Sequence, residues 1–459
     1  MKQLSELSTY ISEFSLNTCP TEVIHAAKIC LSDTVGTALG ASNDSLQCKL
    51  RSEFATQDLI SNKNKANNIA IWGTSFYAPL PLAAFFNAMQ SHTLEMDDVH
   101  IRSKTHIGTV VIPAAWALAE KIDSSGSELL ESIICGYESM ARIGMGFGVS
   151  SHRNKGWHVT GTAGTFGAAA ACAKLLKLSP SQIESCFGLA GTQSCGTWAF
   201  LADGATNKVL HPGRAASSGL ESCLLTLGGM RGASEILSAE DGGIYPMMSD
   251  QYNYDAVSQG LGKDFEILKV DKKPYPCCRS THCAIDASIK IFNKYIFSSK
   301  DIKEVNVNTY LVGLKQCGLS STSKIPTIPS QAKFSTPYVV ACALINGKVG
   351  LTVFTVDAIS RNNIQELLRK VIINEDSRFT SRYPNHWGCE VEVTLNSGKR
   401  IKEEVIDATG SVENPLTKQQ LMDKILNCCS EFNAEWIQQI LFELSDIENK
   451  SRIPNLSNI

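Results

Sequence analysis

The chain has no apolar run near the roughly 18 residues that a membrane-crossing helix needs, so no membrane partner is expected. Its start, Met1-Lys2-Gln3-Leu4-Ser5-Glu6, carries an acid early and no apolar segment, which argues against a signal peptide and for a cytoplasmic protein. No basic block stands out among 42 basic and 45 acidic residues, and the net charge of −3 leaves nucleic acid without an electrostatic footprint. None of the 16 cysteines is spaced C-x-x-C, and the adjacent pairs Cys277-Cys278 and Cys428-Cys429 are poorly placed to bridge each other. Reduced, mostly buried thiols are therefore expected. The G-x-S-x-G elbow, the phosphate-loop lysine motif and the H-E-x-x-H zinc helix are all missing. So are internal repeats and low-complexity linkers. With 43% hydrophobic and 19% charged residues, the 459-residue chain reads as ordered and as about two domains.

What the chain does have is a dense ionisable stretch, His92-Thr93-Leu94-Glu95-Met96-Asp97-Asp98-Val99-His100 through Thr105-His106-Ile107-Gly108-Thr109. An apolar helix around Pro81–Met89 runs into it, and another around Ile112–Glu120 leaves it. A polar segment between two buried helices implies a pocket, because unpaired burial costs roughly 1–3 kcal/mol per polar group.

Along the chain, Pro20 opens a helix with Glu22 in its first turn. Val23, Ala27, Cys30, Leu31, Thr34 and Ala38 recur on it at helical spacing. A helix from Gly126 to about Ile143 is followed by Gly144-Met145-Gly146-Phe147-Gly148, read as a loop. It follows a helix and not a strand, so dinucleotide binding is not expected. Gly167-Ala168-Ala169-Ala170-Ala171 predicts a central buried helix, Ser179-Pro180 opens the next, and Ala215 to Leu227 forms another. The character changes near residue 268. Val305, Val307, Thr309 and Leu311 alternate as in a strand, and Glu390–Leu395 and Arg400–Val405 flank a glycine turn as a hairpin. Thr336–Ile345 and Ile364–Val371 read as helices between them. After Pro415, Thr417 and Gln420 fit a capping box, and the helix they start returns to the first domain. The expected fold is mainly α, with residues 1–267 and 407–459 helical and an inserted α+β domain at 268–406.

The chemistry-bearing residues left over are His106, His158, Lys208 and Lys273, each in a loop marked by glycine or proline. Lysines would neutralise carboxylates, and a histidine could move protons at neutral pH. Each has a plain alternative. A single histidine is more often a hydrogen-bonded structural residue. Lys208 could be a surface lysine. Asp97 and Asp98 could pair with Arg102 or Lys104, and His92, Glu95 and His100 could be metal ligands. Spacing alone does not choose among these.

Further motifs occur in order: Ala27-Lys28 through Asp33-Thr34-Val35-Gly36, Asp97-Asp98 with Thr105-His106, Trp157-His158 with Gly164, and Lys208 with His211-Pro212-Gly213. Lys273-Pro274-Tyr275-Pro276-Cys277 with His282, Ala332-Lys333-Phe334-Ser335 and Asn414-Pro415-Leu416 complete them. Over nearly its whole length the chain resembles the MmgE/PrpD family, which includes 2-methylcitrate dehydratase, cis-aconitate decarboxylase and iminodisuccinate epimerase. The resemblance implies a helical domain built from both chain ends, a smaller α+β lid, a homodimer, no metal, no organic cofactor, and a site between domain and lid for a small polycarboxylate. It implies His106, His158, Lys208 and Lys273 as catalytic residues, with Glu95, Asp97, Asp98, His100, Cys278 and His282 contacting substrate.

Relative to cis-aconitate decarboxylase, Glu95 replaces an expected aspartate, Val99 a threonine and Cys278 a histidine. The segment around His92 looks more like the epimerase branch. The expectation is a cofactor-independent lyase that dehydrates or decarboxylates a di- or tricarboxylate, with epimerisation as the alternative. A metal hydrolase using His92, Glu95, Asp98 and His100, and a relative that binds without turnover, are the other readings.

Overall fold

The computed structural model describes residues 2–63 and 67–457. It is mainly helical with a smaller α+β unit, as expected. Helix starts follow the capping chemistry. Ser125 with Glu128, Ser179 with Gln182 and Thr417 with Gln420 each satisfy two backbone N–H groups reciprocally.

The helix Val159–Leu175 lies at the centre of the helical body and is buried at every position except Lys174. The helices Gly126–Gly146, Leu210–Leu227 and Gly108–Ile122 pack directly on it. A Cβ added at Gly219 would stand 2.5 Å from Ala168 Cβ, so only a glycine there allows the two backbones this close. Close packing of this kind adds dispersion contact that a gap would forfeit. Pro113, inside Gly108–Ile122, has no N–H for the Thr109 carbonyl. Ser91 Oγ supplies a hydrogen bond to that carbonyl at 3.4 Å.

The glycine-rich stretch after Ile143 is not the expected loop. The helix continues through Gly146, and a Cβ there would stand 2.1 Å from the Tyr245 hydroxyl oxygen. These glycines serve packing, and the chain leaves the helix only at Gly148, with φ +65°.

Cys277 to Ala408 build a separate core. Its sheet has the strand order Val371–Glu375, Ile302–Thr309, Cys389–Leu395, Arg400–Val405. Val305 to Thr309 run parallel to Val371–Glu375, and the other pairings are antiparallel. The helices His282–Lys294 and Thr336–Asn346 pack against the sheet. The expected helix Ile364–Val371 is split: Asn362–Leu368 is helical, and Val371 begins a strand. The β-branched run Val371-Ile372-Ile373 pairs with Val305–Val307, and that long-range partner overrides the local helical pattern.

After Pro415 the chain packs on the helical body. Lys424 forms an ion pair with Asp33 and donates to the Met96 carbonyl at 2.6 Å. Ile440, Leu441 and Leu444 share a core with Val23, Leu31 and Leu39.

Candidate active site

The segment from His92 to Thr109 is pinned from several sides. Val99 and His100 pair antiparallel with Asp271 and Val270. Asp98 accepts from Gly108 N at 3.0 Å and from the Tyr137 hydroxyl at 2.6 Å. His100 Nε2 lies 3.0 Å from Glu266, which also binds Arg102 and Lys269 at 3.0 Å each. Lys273 follows two residues after Asp271, so the short ladder that holds the segment also delivers this lysine. Glu95 and Lys104 adopt left-handed φ values of +59° and +61°. For non-glycine residues this costs on the order of 1–2 kcal/mol, and both side chains end in the wall of one cavity.

That cavity, about 330 Å³, lies between the helical body and the α+β unit. Glu95, His106, His158 and Lys208 come from the body, and Cys278, Phe334, Tyr383 and Trp387 from the other side. Lys273 reaches in from the junction. A second cavity, about 400 Å³ with Lys333 in its wall, shares Glu95, Lys208 and Phe334 with the first.

Glu95 holds both lysines. One oxygen pairs with Lys208 and the other lies 3.3 Å from Lys273. Lys273 is fully buried and stands 3.7 Å from Asp97. Burial alone would push the Glu95 carboxyl up, but Lys208, Lys273 and His92 hold it below the usual carboxylate range. Asp97 is likewise held well below its ordinary value, by His92, Lys273 and His106 acting against burial. The Lys273 ammonium is pulled up by Asp97 and Glu95 against its own burial.

Burial lowers each of the cavity histidines and favours its neutral form. Burial pushes His106 down to about 3, with Lys273 and Lys208 adding to it and Asp97 opposing. His106 Nδ1 lies 3.1 Å from the Asp98 carbonyl and 2.6 Å from Asp97 Oδ2. Both neighbours only accept, so Nδ1 carries the proton and Nε2 keeps its lone pair. His158 is pushed well below its usual value by burial and then by His211 and Lys208. Its Nδ1 shares a proton with His211 Nδ1 at 2.8 Å, and its buried Nε2 has no protein partner. Burial also lowers His211, to about 4. Two neutral imidazoles beside two ammonium groups can give and take protons next to an anion.

His106, His158, Lys208, Lys273, Glu95 and Cys278 meet at this cavity. Burial opposes ionisation of Cys278, but a hydrogen bond with Cys317 outweighs it and brings the thiol down to about 7. Asp97 stands behind Lys273 and His106 as their counter-charge. Asp98, His100 and His282, expected at the substrate, do not line the cavity. Asp98 and His100 brace the segment, and His282 Nε2 donates to the Cys277 carbonyl at 3.3 Å. Arg102 and Lys104 do not pair with Asp97 or Asp98: Arg102 binds Glu266 and Lys104 lies over aromatic rings. The metal set His92, Glu95, Asp98 and His100 is not gathered. Among the described residues, His92, Asp97 and His106 instead bring potential ligand atoms within 4.8 Å of one another.

Sequence reasoning passed over Arg153, Trp198, His211, Tyr383 and Trp387, and considered Lys104 only as an ion-pair partner. His211 had a signal, since it lies in the quoted His-Pro-Gly motif. The others carry no spacing signal, because their partners are distant in the chain.

A helical body closed over a histidine–lysine cavity by an α+β unit defines the class. The chain matches the MmgE/PrpD N-terminal domain over residues 5–256 and the MmgE/PrpD C-terminal domain over residues 275–446. It belongs to the MmgE/PrpD family. It is 26% identical to a cis-aconitate decarboxylase-like protein of Aspergillus oryzae, over 98% of this chain and 96% of that protein. Cis-aconitate decarboxylase of Aspergillus terreus is 26% identical over 92% of this chain and 88% of its own length. The Homo sapiens cis-aconitate decarboxylase is 26% identical over 99% and 95%.

Proposed function

We propose that this protein is a lyase that acts on a small di- or tricarboxylate, moving a proton at carbon next to a carboxylate as CO2 or water departs. The observation that carries this reading is the meeting of two neutral imidazoles, His106 and His158, with two buried lysines, Lys208 and Lys273, on one cavity. The decarboxylase names of the relatives support the same class.

His106, with its N–H turned to the Asp98 carbonyl, serves as the base through Nε2. His158 delivers a proton from Nε2 while its Nδ1 accepts from His211. In decarboxylation the bond to the departing carboxylate breaks, and its electron pair moves through the adjacent unsaturation to a carbon that takes the His158 proton. In dehydration His106 removes the carbon-bound proton, and His158 protonates the leaving hydroxyl. Lys208 and Lys273 stabilise the enolate-like charge in both cases. These steps use no cofactor, and the working unit is a homodimer.

Val99 and Cys278 stand in the cavity wall, where a decarboxylase of this family is expected to carry hydrogen-bonding groups. The form of the segment from His92 to His100 supports a second reading, epimerisation of a small dicarboxylate. There one imidazole would remove a proton and the other return one on the opposite face. A panel of di- and tricarboxylates incubated in D2O and followed by NMR separates the outcomes. Loss of CO2 or water is expected; deuterium exchange with inversion alone would replace the lyase by the epimerase, and no reaction across the panel would overturn both.

A further inference from the structure

Lys208 and Lys273 already face Glu95 and Asp97. Three other cations in the cavity wall, Lys104, Arg153 and the exposed Lys315, have no carboxylate partner within ion-pair distance among the described residues, and of these Lys104 and Arg153 lie against aromatic rings. Lys104 Nζ lies 4.1 Å from the Trp387 ring centre and 4.6 Å from that of Tyr383, and 3.5 Å from the Pro384 carbonyl. Asp271 acts on it only from a distance, and that carboxylate is bound by Arg279 at 2.8 Å. The Arg153 guanidinium sits 4.4 Å from the Trp198 ring centre, and the same ring lies 4.7 Å from His158. Burial pushes both cations down, and the Tyr383 hydroxyl feels the Arg153 charge. Aromatic faces attract such cations without neutralising them, so an anion entering the cavity gains from meeting both.

We propose that Lys104 and Arg153, beside Tyr383 and Trp198, form a second anion subsite that takes a carboxylate other than the one next to the reacting carbon. The site thereby selects a tricarboxylate over a dicarboxylate. This rests on the polycarboxylate reading above and adds the residues that set its preference. Lys104 comes from the central segment, Arg153 from the short helix Val149–Asn154, and Tyr383 and Trp387 from the α+β unit. The subsite therefore exists only when body and lid are together.

The test is titration calorimetry on the full chain with propane-1,2,3-tricarboxylate and with glutarate as non-reacting probes. Arg153→Met and Lys104→Met are each expected to weaken the tricarboxylate at least about tenfold and glutarate less than about threefold, and Lys104→Arg to stay within about threefold of wild type for both. Arg153→Met covers the case in which loss of Lys104 disturbs the lid. Equal weakening of both probes would assign these cations a structural role and overturn the subsite, as would unchanged tricarboxylate binding. A wild-type protein that binds neither probe would overturn the polycarboxylate reading itself.

Discussion

Replacing Lys273 with methionine perturbs the site where its charges are most tightly balanced. The ammonium is wholly buried, 3.3 Å from Glu95 and 3.7 Å from Asp97. Methionine keeps most of the volume and removes the charge, leaving two buried carboxylates facing Lys208 and neutral imidazoles. Breaking a buried pair from one side costs about 3–5 kcal/mol. The pH dependence follows from the direction of the shifts. In the wild type both carboxyls are held below their unfolded values, so the stability they contribute is present above about pH 4 and is lost only as pH falls through their folded values. In the variant at least one carboxyl rises above its unfolded value. Its penalty is then largest near neutral pH and fades as it takes up a proton. The gap in Tm between wild type and Lys273→Met should be widest at about pH 7–8 and narrow toward about pH 5. Glu95 keeps Lys208, so the orphaned charge is Asp97; adding Asp97→Asn removes it, and should restore much of the stability at neutral pH without restoring turnover. Thermal unfolding followed by circular dichroism across that range reads all three proteins. An equal gap at every pH, or a double variant less stable than Lys273→Met, would refute the charge balance. Activity of the single variant should fall at least about tenfold in kcat/KM, the worth of a charge-assisted contact of about 1.5–3 kcal/mol.

Because His106 works unprotonated and burial takes it down to about 3, the acid limb of kcat/KM should show no histidine titration between about pH 5 and 8. A limb near the ordinary histidine value of about 6.5 would contradict this. Turnover should survive chelation and dialysis; elemental analysis finding a stoichiometric metal whose removal abolishes activity would turn His92, Asp97 and His106 into a metal centre. Tyr137→Phe removes a donor from the buried Asp98 carboxylate, and should lower stability by about 1–3 kcal/mol in denaturant titrations while leaving KM unchanged. A raised KM would instead bring Asp98 to the substrate. Light scattering should give a homodimer of twice the 49.8 kDa chain mass.

Local chemistry made the element starts and the alternating strands readable from the chain. Ser125, Ser179 and Thr417 cap helices through neighbours three residues away, and the alternation of Val305, Val307 and Thr309 needs only the pleat. Family motifs around His106, His158, Lys208 and Lys273 marked four side chains that line one cavity. Contacts across the chain settled the rest. Val371 is a strand because Val305 lies beside it. Asp98 turns from the cavity because Tyr137 and Gly108 hold both its oxygens, and His100 because Glu266 waits behind it. Glu95 binds two lysines 113 and 178 residues further along, a pairing that no spacing encodes. Arg153 became visible only when Trp198 and the cavity gave it a face. Capping and pleating are set within a few residues of backbone, and so can be read from order alone. Which buried charge meets which counter-charge depends on how helices and sheet close on one another, and that only the tertiary structure decided.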